Sequence, residues 1–394
     1  MVKNHLKTRN SAVFLDVNVF AREEFTSGLL ITVREILHRL KKLHSHVGVL
    51  SVAQASNSKK WKKGDNVGLS TRIVQDIPIK EVLISDDYKN DTSVYINAVR
   101  MLLRKSKPSL LFMNTVAFFL DELHILTLQE AILSGSKVVI ILVDTFFPTH
   151  RTNKKKSVDR YYELIRKTQV ISTSKILIDL FYKETGITAK HFPNLFTIEN
   201  IISKKKSNTY ITLVNHHPIK GREIFDAIAN KMPSKKFLAV ESWPDIPSYD
   251  LRPNNIVLSK FNNDARSIYN KTRIILIPSL CDEGPARVII EALLNEIPVI
   301  AHKIGSIPEI GNGKIFLVNP PPILGNKIVN TIVYPQVDSD EIDTVSDNFI
   351  KIILEIDNNF LLLEQHIKEA KKYALDYCKE AEKKFSMFAE NWLT

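Results

Sequence analysis

Only two cysteines, Cys281 and Cys378, occur in 394 residues, which excludes a disulfide framework and a cysteine-rich zinc site and points to a reducing compartment. Glycine (12) and proline (17) are too scarce for a fibrous or low-complexity chain. Long hydrophobic runs are missing as well: VVIILV (138–143) and SLLFMNTVAFFL (109–120) fall short of the ~18–20 residues a spanning helix needs. The opening MVKNHLKTRN is polar and basic and has no apolar stretch of the secretory kind behind it. The expectation is a cytoplasmic protein that at most touches the inner face of a membrane.

What the chain does have is charge of one sign in one half. Residues 1–200 hold 30 Lys and Arg against 19 Asp and Glu, while residues 201–394 hold 24 of each, so the whole net charge of +11 lies in the first half. Two readings stand: a lysine-rich surface that is simply solvated, or a face turned toward an anionic partner such as lipid headgroups or an acidic acceptor. The clusters KKWKK (59–63) and KKK (154–156 and 204–206) fit the second, but no nucleic-acid motif accompanies them, and no nucleic-acid partner is expected.

The length exceeds the ~250–300 residues at which single cores stop growing, so two domains are expected. Short apolar runs alternate with amphipathic stretches throughout. SAVFLDV (11–17), HVGVLSVA (46–53), KEVLIS (80–85), SLLFMN (109–114), KVVIILV (137–143), TQVIST (168–173) and AKHFP (189–193) read as one strand series. After the spacer SKKKSN (203–208) a second follows: TYITLVN (209–215), KKFLAVE (235–241), NIVLSK (255–260), RIILIPS (273–279), IPVIAH (297–302) and GKIFLV (313–318). Continuous apolar strands separated by helices predict parallel sheets covered on both faces. The fold class is therefore α/β, with doubly wound domains at 1–200 and 201–375 and a helix over 376–394, the end of a long helical stretch, packing back on the first domain. Such pairs bind ligands at the carboxyl ends of their strands.

The stretch richest in chemistry is RIILIPSLCDEGPARVIIEALLNEIPVIAHKIGSIPE (273–309). A buried strand ends at Pro278, a loop carries Glu283 and Gly284, and Pro285 is suited to open a helix because it lacks an N–H. The N–H groups of Ala286, Arg287, Val288 and Ile289 would then face a phosphate or pyrophosphate with the helix dipole behind them. Glu283 and Glu291 flank that helix tip, where carboxylates serve best as acceptors for sugar hydroxyls. The two adjacent histidines His216 and His217 lack a third ligand at metal spacing and read as loop histidines.

Glu, seven residues, Glu, with Arg-Val before the second Glu and then I-P-V-I and G-S-x-P-E, resembles the retaining nucleotide-sugar glycosyltransferases of family four. The resemblance implies the GT-B architecture, two Rossmann-like domains about a cleft, with the acceptor on the first and the donor on the second. It assigns Glu283 to donor-sugar hydroxyls and Glu291 to ribose. In VNHHPIKG (214–221), Lys220 matches the lysine placed on the donor diphosphate, while Asn215 stands near the place of the family's arginine. Lys260 and Phe261 match the segment that receives the base. Gly28 offers the glycine of the first loop, Asp144 remains of a His-Asp pair and orients the acceptor, and Glu309 helps hold the donor loop.

The activity so implied is metal-independent hexosyl transfer from a UDP- or GDP-sugar to a glycan, lipid or other acceptor of anionic character, with catalytic roles for Glu283, Lys220 and Asp144 and no cofactor. The helical segment Gly28 to Lys42 and the KKWKK cluster are the candidate contacts with an anionic membrane. Alternatives on the same fold are an epimerase, a phosphorylase or a donor-binding scaffold without catalysis.

Overall fold

The computed structural model describes residues 11–17, 28–44, 46–54, 68–84, 92–114, 122–142, 155–204, 207–241, 253–260, 264–329 and 332–393. The chain divides into two compact units, one formed by Met1–Leu195 with Glu382–Thr394 and the other by Phe196–Ala381.

The first unit is built on a sheet of β1 (Ser11–Val17), β2 (His46–Gln54), β3 (Gly68–Val74), β4 (Ile77–Ile84), β5 (Leu110–Asn114), β6 (Lys137–Leu142), β7 (Gln169–Ser172) and β8 (Lys190–His191), in the order β3-β4-β2-β1-β5-β6-β7-β8. Its pairs are parallel except for the β3–β4 hairpin. The sheet winds both ways from β1, as in a doubly wound fold. Side chains alternate faces along each strand. Val13, Leu15, Leu50 and Val52 pack with α2 (Thr92–Ser106), α3 (Glu122–Leu133), α4 (Lys155–Ile165) and α5 (Lys175–Thr185). Helix α1 (Gly28–Leu40) lies against β1, β2 and β4.

That packing corrects one expectation. The apolar side of α1, with Leu30, Val33, Ile36, Leu37 and Leu40, is buried in its own unit, and Arg39 is held by Glu35 at 2.6 Å and by Glu382. A helix that spends its apolar stripe on its own core has none to insert into a bilayer. The KKWKK cluster lies outside the described residues.

The second unit has six parallel strands, β9 (Tyr210–Val214), β10 (Lys236–Val240), β11 (Ile256–Ser259), β12 (Thr272–Ile277), β13 (Val299–His302) and β14 (Phe316–Val318), in the order β11-β10-β9-β12-β13-β14. Ile274, Ile275 and Leu276 of β12 are fully buried, which is why that run reads as uninterrupted hydrophobics. The order reverses between β9 and β12, so the loops after these two strands leave the sheet side by side. Helices α6 (Arg222–Lys231), α7 (Arg266–Tyr269), α8 (Arg287–Leu294), α9 (Ile307–Gly311) and α10 (Ser339–Asn358) complete the unit, with a two-stranded hairpin of β15 (Gly325–Val329) and β16 (Ile332–Gln336).

The last helix, α11 (Phe360–Leu393), is shared. Ala370, Ala374 and Cys378 join the core around α8 and α9, and the Tyr373 hydroxyl donates to the Ile310 carbonyl at 2.8 Å. Further along, Phe385, Phe388 and Trp392 close around Phe192, and Trp392 meets Phe112 edge-on at 5.1 Å. Each such ring pair contributes ~0.5–1.5 kcal/mol beyond the area it buries. Among the described residues no helix is long and apolar enough to cross a membrane.

Candidate functional site

The loop after β9 is shaped residue by residue. Asn215 adopts φ 69°, a left-handed conformation that Asn tolerates better than most residues. Its N–H and that of His216 both donate to the Val240 carbonyl, at 2.9 and 3.0 Å, which ties the loop to the end of β10. The His216 ring sits 3.0 Å from Asp226 Oδ1 on α6, so it braces that helix. Among the described residues no group of three or more His, Cys, Asp or Glu stands where it could hold a metal ion.

His217 Nδ1 accepts the Ile219 N–H at 3.3 Å. Burial, with the neighbouring charges of Lys220 and Arg222, pushes its pKa down to about 4. The ring is neutral at pH 7 with its proton on Nε2. Pro218–Lys220 then makes one tight turn that ends at Gly221, φ 81°. A Cβ there would lie 1.9 Å from the Pro278 carbonyl oxygen, so only glycine fits. Leu280 N–H also donates to the Ile219 carbonyl at 2.9 Å. The loops after β9 and β12 are thus joined backbone to backbone.

That junction delivers Lys220 to Glu283. The ammonium lies 2.7 Å from each carboxylate oxygen, and the Ser279 hydroxyl donates to Oε1 of the same carboxylate. Ser279 is itself fixed, because its carbonyl accepts Nδ1–H of the fully buried His302 at 2.9 Å. Burial holds His302 neutral, its pKa down to about 4.

The backbone of Glu283 is gripped from the G-S-x-P-E segment. Gly305, φ 53°, passes so close that a Cβ would fall 2.4 Å from the Glu283 nitrogen. Ser306 N–H donates to the Glu283 carbonyl at 3.0 Å, and its hydroxyl donates to the Gly284 carbonyl. Gly305 and Ser306, whose small size admits the loop, make these contacts, and Glu309 stands in the first turn of α9.

Helix α8 starts at Arg287, two residues beyond Pro285, since Ala286 adopts ψ 83° and is not helical. The Ile289 N–H is taken by the Ala286 carbonyl at 3.0 Å, so it leaves the expected set of ligand-facing donors. No side chain caps the helix. Arg287 packs its guanidinium over the Phe196 ring at 4.3 Å and places Nε 3.4 Å from Glu291 Oε1. Glu291 Oε2 accepts the Tyr269 hydroxyl at 2.7 Å, and burial followed by the Glu291 charge pushes that phenol well above its ordinary pKa.

Lys220, Glu283 and Gly284 are therefore brought together, with Asn215 at the base of the same loop, and Arg287 and Glu291 share α8, where Val288 is the second residue. Lys260 is exposed just past the outer strand β11. Gly28 opens α1 in the other unit, with open space around it. Phe261 and Asp144 lie outside the described residues. Three participants escaped the sequence reading: Ser279, His302 and Tyr269. Ser279, just past β12, meets His302, at the end of β13, because those strands are neighbours, and Tyr269, at the end of α7, meets Glu291 on α8, pairings that no local pattern singles out.

Residues 234–332 match the family model described as Glycosyl transferases group 1, a span that holds Glu283, Glu291, Gly305 and Ser306 but not Lys220. No curated protein matches the sequence. Among solved structures, a glycosyltransferase from Rickettsia africae ESF-5 superimposes with a TM-score of 0.68 at 14% identity over 98% of this chain and 99% of that one. Anabaena Alr3699/HepE, solved in complex with UDP-glucose, gives 0.66 at 15% identity over 96% and 99%. The chain has the GT-B fold. Sucrose-phosphate synthase from Thermosynechococcus elongatus, with a TM-score of 0.66 at 13% identity over 98% and 100%, shares it. For this GT-B chain the likeness carries architecture alone.

Proposed function

We propose that this GT-B chain is a retaining glycosyltransferase that binds a UDP- or GDP-sugar on its second unit and transfers the hexosyl group to an acceptor received by the first. The observation that carries the reading is the Lys220–Glu283 pair, with 2.7 Å contacts, held at the switch point of a parallel sheet. A cation for the diphosphate and a carboxylate for sugar hydroxyls stand within one hydrogen bond of each other. Glu291, in the second turn of α8, is the acceptor for ribose in this reading. The group 1 match over 234–332 and the UDP-glucose bound by the Anabaena protein support the same assignment.

In the mechanism proposed, the acceptor attacks from the face that the diphosphate leaves, and the leaving phosphate takes the acceptor's proton, so no protein nucleophile is needed. Lys220 and the N–H groups at the start of α8 stabilise the charge that develops on the leaving group. Orientation of two bound substrates supplies the rest of the acceleration. These positive groups do the work that a divalent ion does elsewhere, so transfer is expected to be metal-independent. The +11 charge of residues 1–200 favours an anionic acceptor or a membrane surface beside it.

The test is transfer of label from UDP- and GDP-sugars to an acceptor panel, with and without EDTA. Product in excess EDTA with the anomeric configuration of the donor is expected. Activity abolished by EDTA and restored by Mn²⁺ would overturn the metal-independent reading, and an inverted product would overturn retention.

A further inference from the structure

Glu283 is fixed from every direction that has been described. Lys220 holds both carboxylate oxygens, Ser279 holds Oε1, and Gly305 with Ser306 grips the backbone. Its side chain is 12% exposed and that of Lys220 21%, so the pair feels less solvent screening than a surface ion pair would. With its backbone gripped and Ser279 on Oε1, the carboxylate stays in place when a ligand draws the lysine away, whereas the longer lysine side chain has rotamers with which to turn.

We infer that Glu283, as the resident counter-ion of Lys220, makes the site discriminate between an intact nucleotide sugar and a bare nucleoside diphosphate, in favour of the former. This rests on the donor reading above and deepens it. A ligand that offers only an anion draws Lys220 away and leaves Glu283 as an uncompensated carboxylate beside a phosphate, two like charges in a partly buried place. A ligand that carries a sugar on the diphosphate brings hydroxyl donors to the carboxylate at the moment the lysine turns away. Only the second kind satisfies both partners of the opened pair.

The discrimination has a direction in the catalytic cycle. Transfer removes the sugar and leaves the acceptor's proton on the terminal phosphate, which gains a negative charge when that proton passes to solvent. Both changes act on Glu283 in the same sense, since its hydroxyl donors depart and its electrostatic neighbour becomes more negative. The carboxylate and lysine re-form their pair as the diphosphate leaves. Glu283 thus works against product retention as well as for donor selection, and Ser279 is a positioning residue that acts through it.

The experiment is calorimetric titration of UDP and UDP-glucose into the full chain and into its Glu283→Gln and Ser279→Ala variants, at one pH and ionic strength, with the ratio of the two dissociation constants as readout. Glu283→Gln keeps the size of the side chain and removes its charge. It is expected to bind UDP more tightly and UDP-glucose more weakly than the natural chain, moving the ratio by about tenfold or more, the scale of one charge-assisted hydrogen bond. Ser279→Ala is expected to shift the ratio the same way by a smaller factor, and it serves if the other variant does not fold. Equal changes for both ligands, or an unchanged ratio in both variants, would overturn the inference while leaving the donor reading intact. Binding of neither ligand to the natural chain, with GDP and GDP-mannose also failing, would overturn the donor reading and this inference with it.

Discussion

The phenol of Tyr269 donates to Oε2 of Glu291 at 2.7 Å, between the end of α7 and the second turn of α8. Glu291 is 8% exposed and Arg287 lies against its other oxygen. The carboxylate that the donor reading gives to ribose is therefore also a structural acceptor. Losing it leaves a buried phenol and a buried guanidinium short of a partner.

Glu291→Ala is accordingly expected to lower stability by ~1–3 kcal/mol, the cost of a buried group left unsatisfied, and to weaken UDP or GDP binding about tenfold or more. Glu291→Gln keeps an acceptor for Tyr269 and should recover most of the stability. Urea unfolding and calorimetry on both variants separate the two roles. A fully stable Glu291→Ala chain with unchanged nucleotide affinity would refute both.

Gly221 is the point where two loops meet. Its φ of 81° disfavours any side chain, and a Cβ would strike the Pro278 carbonyl at 1.9 Å. Gly221→Ala is expected to cost ~2 kcal/mol or more and to move Lys220 away from Glu283. An unfolding midpoint equal to that of the natural chain would show that the loops do not touch as described.

His302 supplies a pH dependence. Its folded pKa of about 4 lies below the ordinary 6.5, with burial as the leading cause. The unfolded chain therefore binds the extra proton first as pH falls. Stability from this group is fully present above about pH 6.5 and is lost as pH falls through about 4, an amount on the order of 3 kcal/mol for a fully buried ring. His302→Asn keeps a donor for the Ser279 carbonyl but does not titrate. Unfolding free energies between pH 7 and pH 4 should fall less steeply in the variant, and parallel curves would contradict the assignment.

The basic first half is tested with vesicles. With the apolar stripe of α1 buried, KKWKK is the remaining candidate for a membrane contact. Co-sedimentation with anionic but not neutral liposomes is expected, lost in high salt as exposed charges are screened beyond ~8 Å at physiological ionic strength. The quadruple variant with Ala at Lys59, Lys60, Lys62 and Lys63 should stay in the supernatant. Equal recovery of the natural chain with both liposome types would leave only a soluble acidic acceptor.

Legibility followed the strength of local signals. Runs such as KVVIILV and RIILIPS announce buried parallel strands because both faces of each strand are covered, so no polar residue interrupts them. Strand β3 carries no such signal. GLSTRIV is half polar, as befits an edge, and its turn uses Gln75 and Asp76 at positive φ in place of an Asn-Gly signal. The β15–β16 hairpin also escaped, since Gly325 and Pro335 within the pairing region argue against strands. Pro285 pointed to a helix start that came two residues later, because a proline permits a first turn without compelling one.

By itself the sequence determined the α/β class and the two strand series, because these depend on hydrophobic period within a few residues. The contacts that make the site were decided by tertiary structure. Lys220 and Glu283 are 63 residues apart, and they meet because the sheet sets β9 beside β12. Ser279 and His302 meet because β12 lies beside β13. Strand order is a property of the whole packed domain, so no local pattern of residues could announce which carboxylate would face which cation.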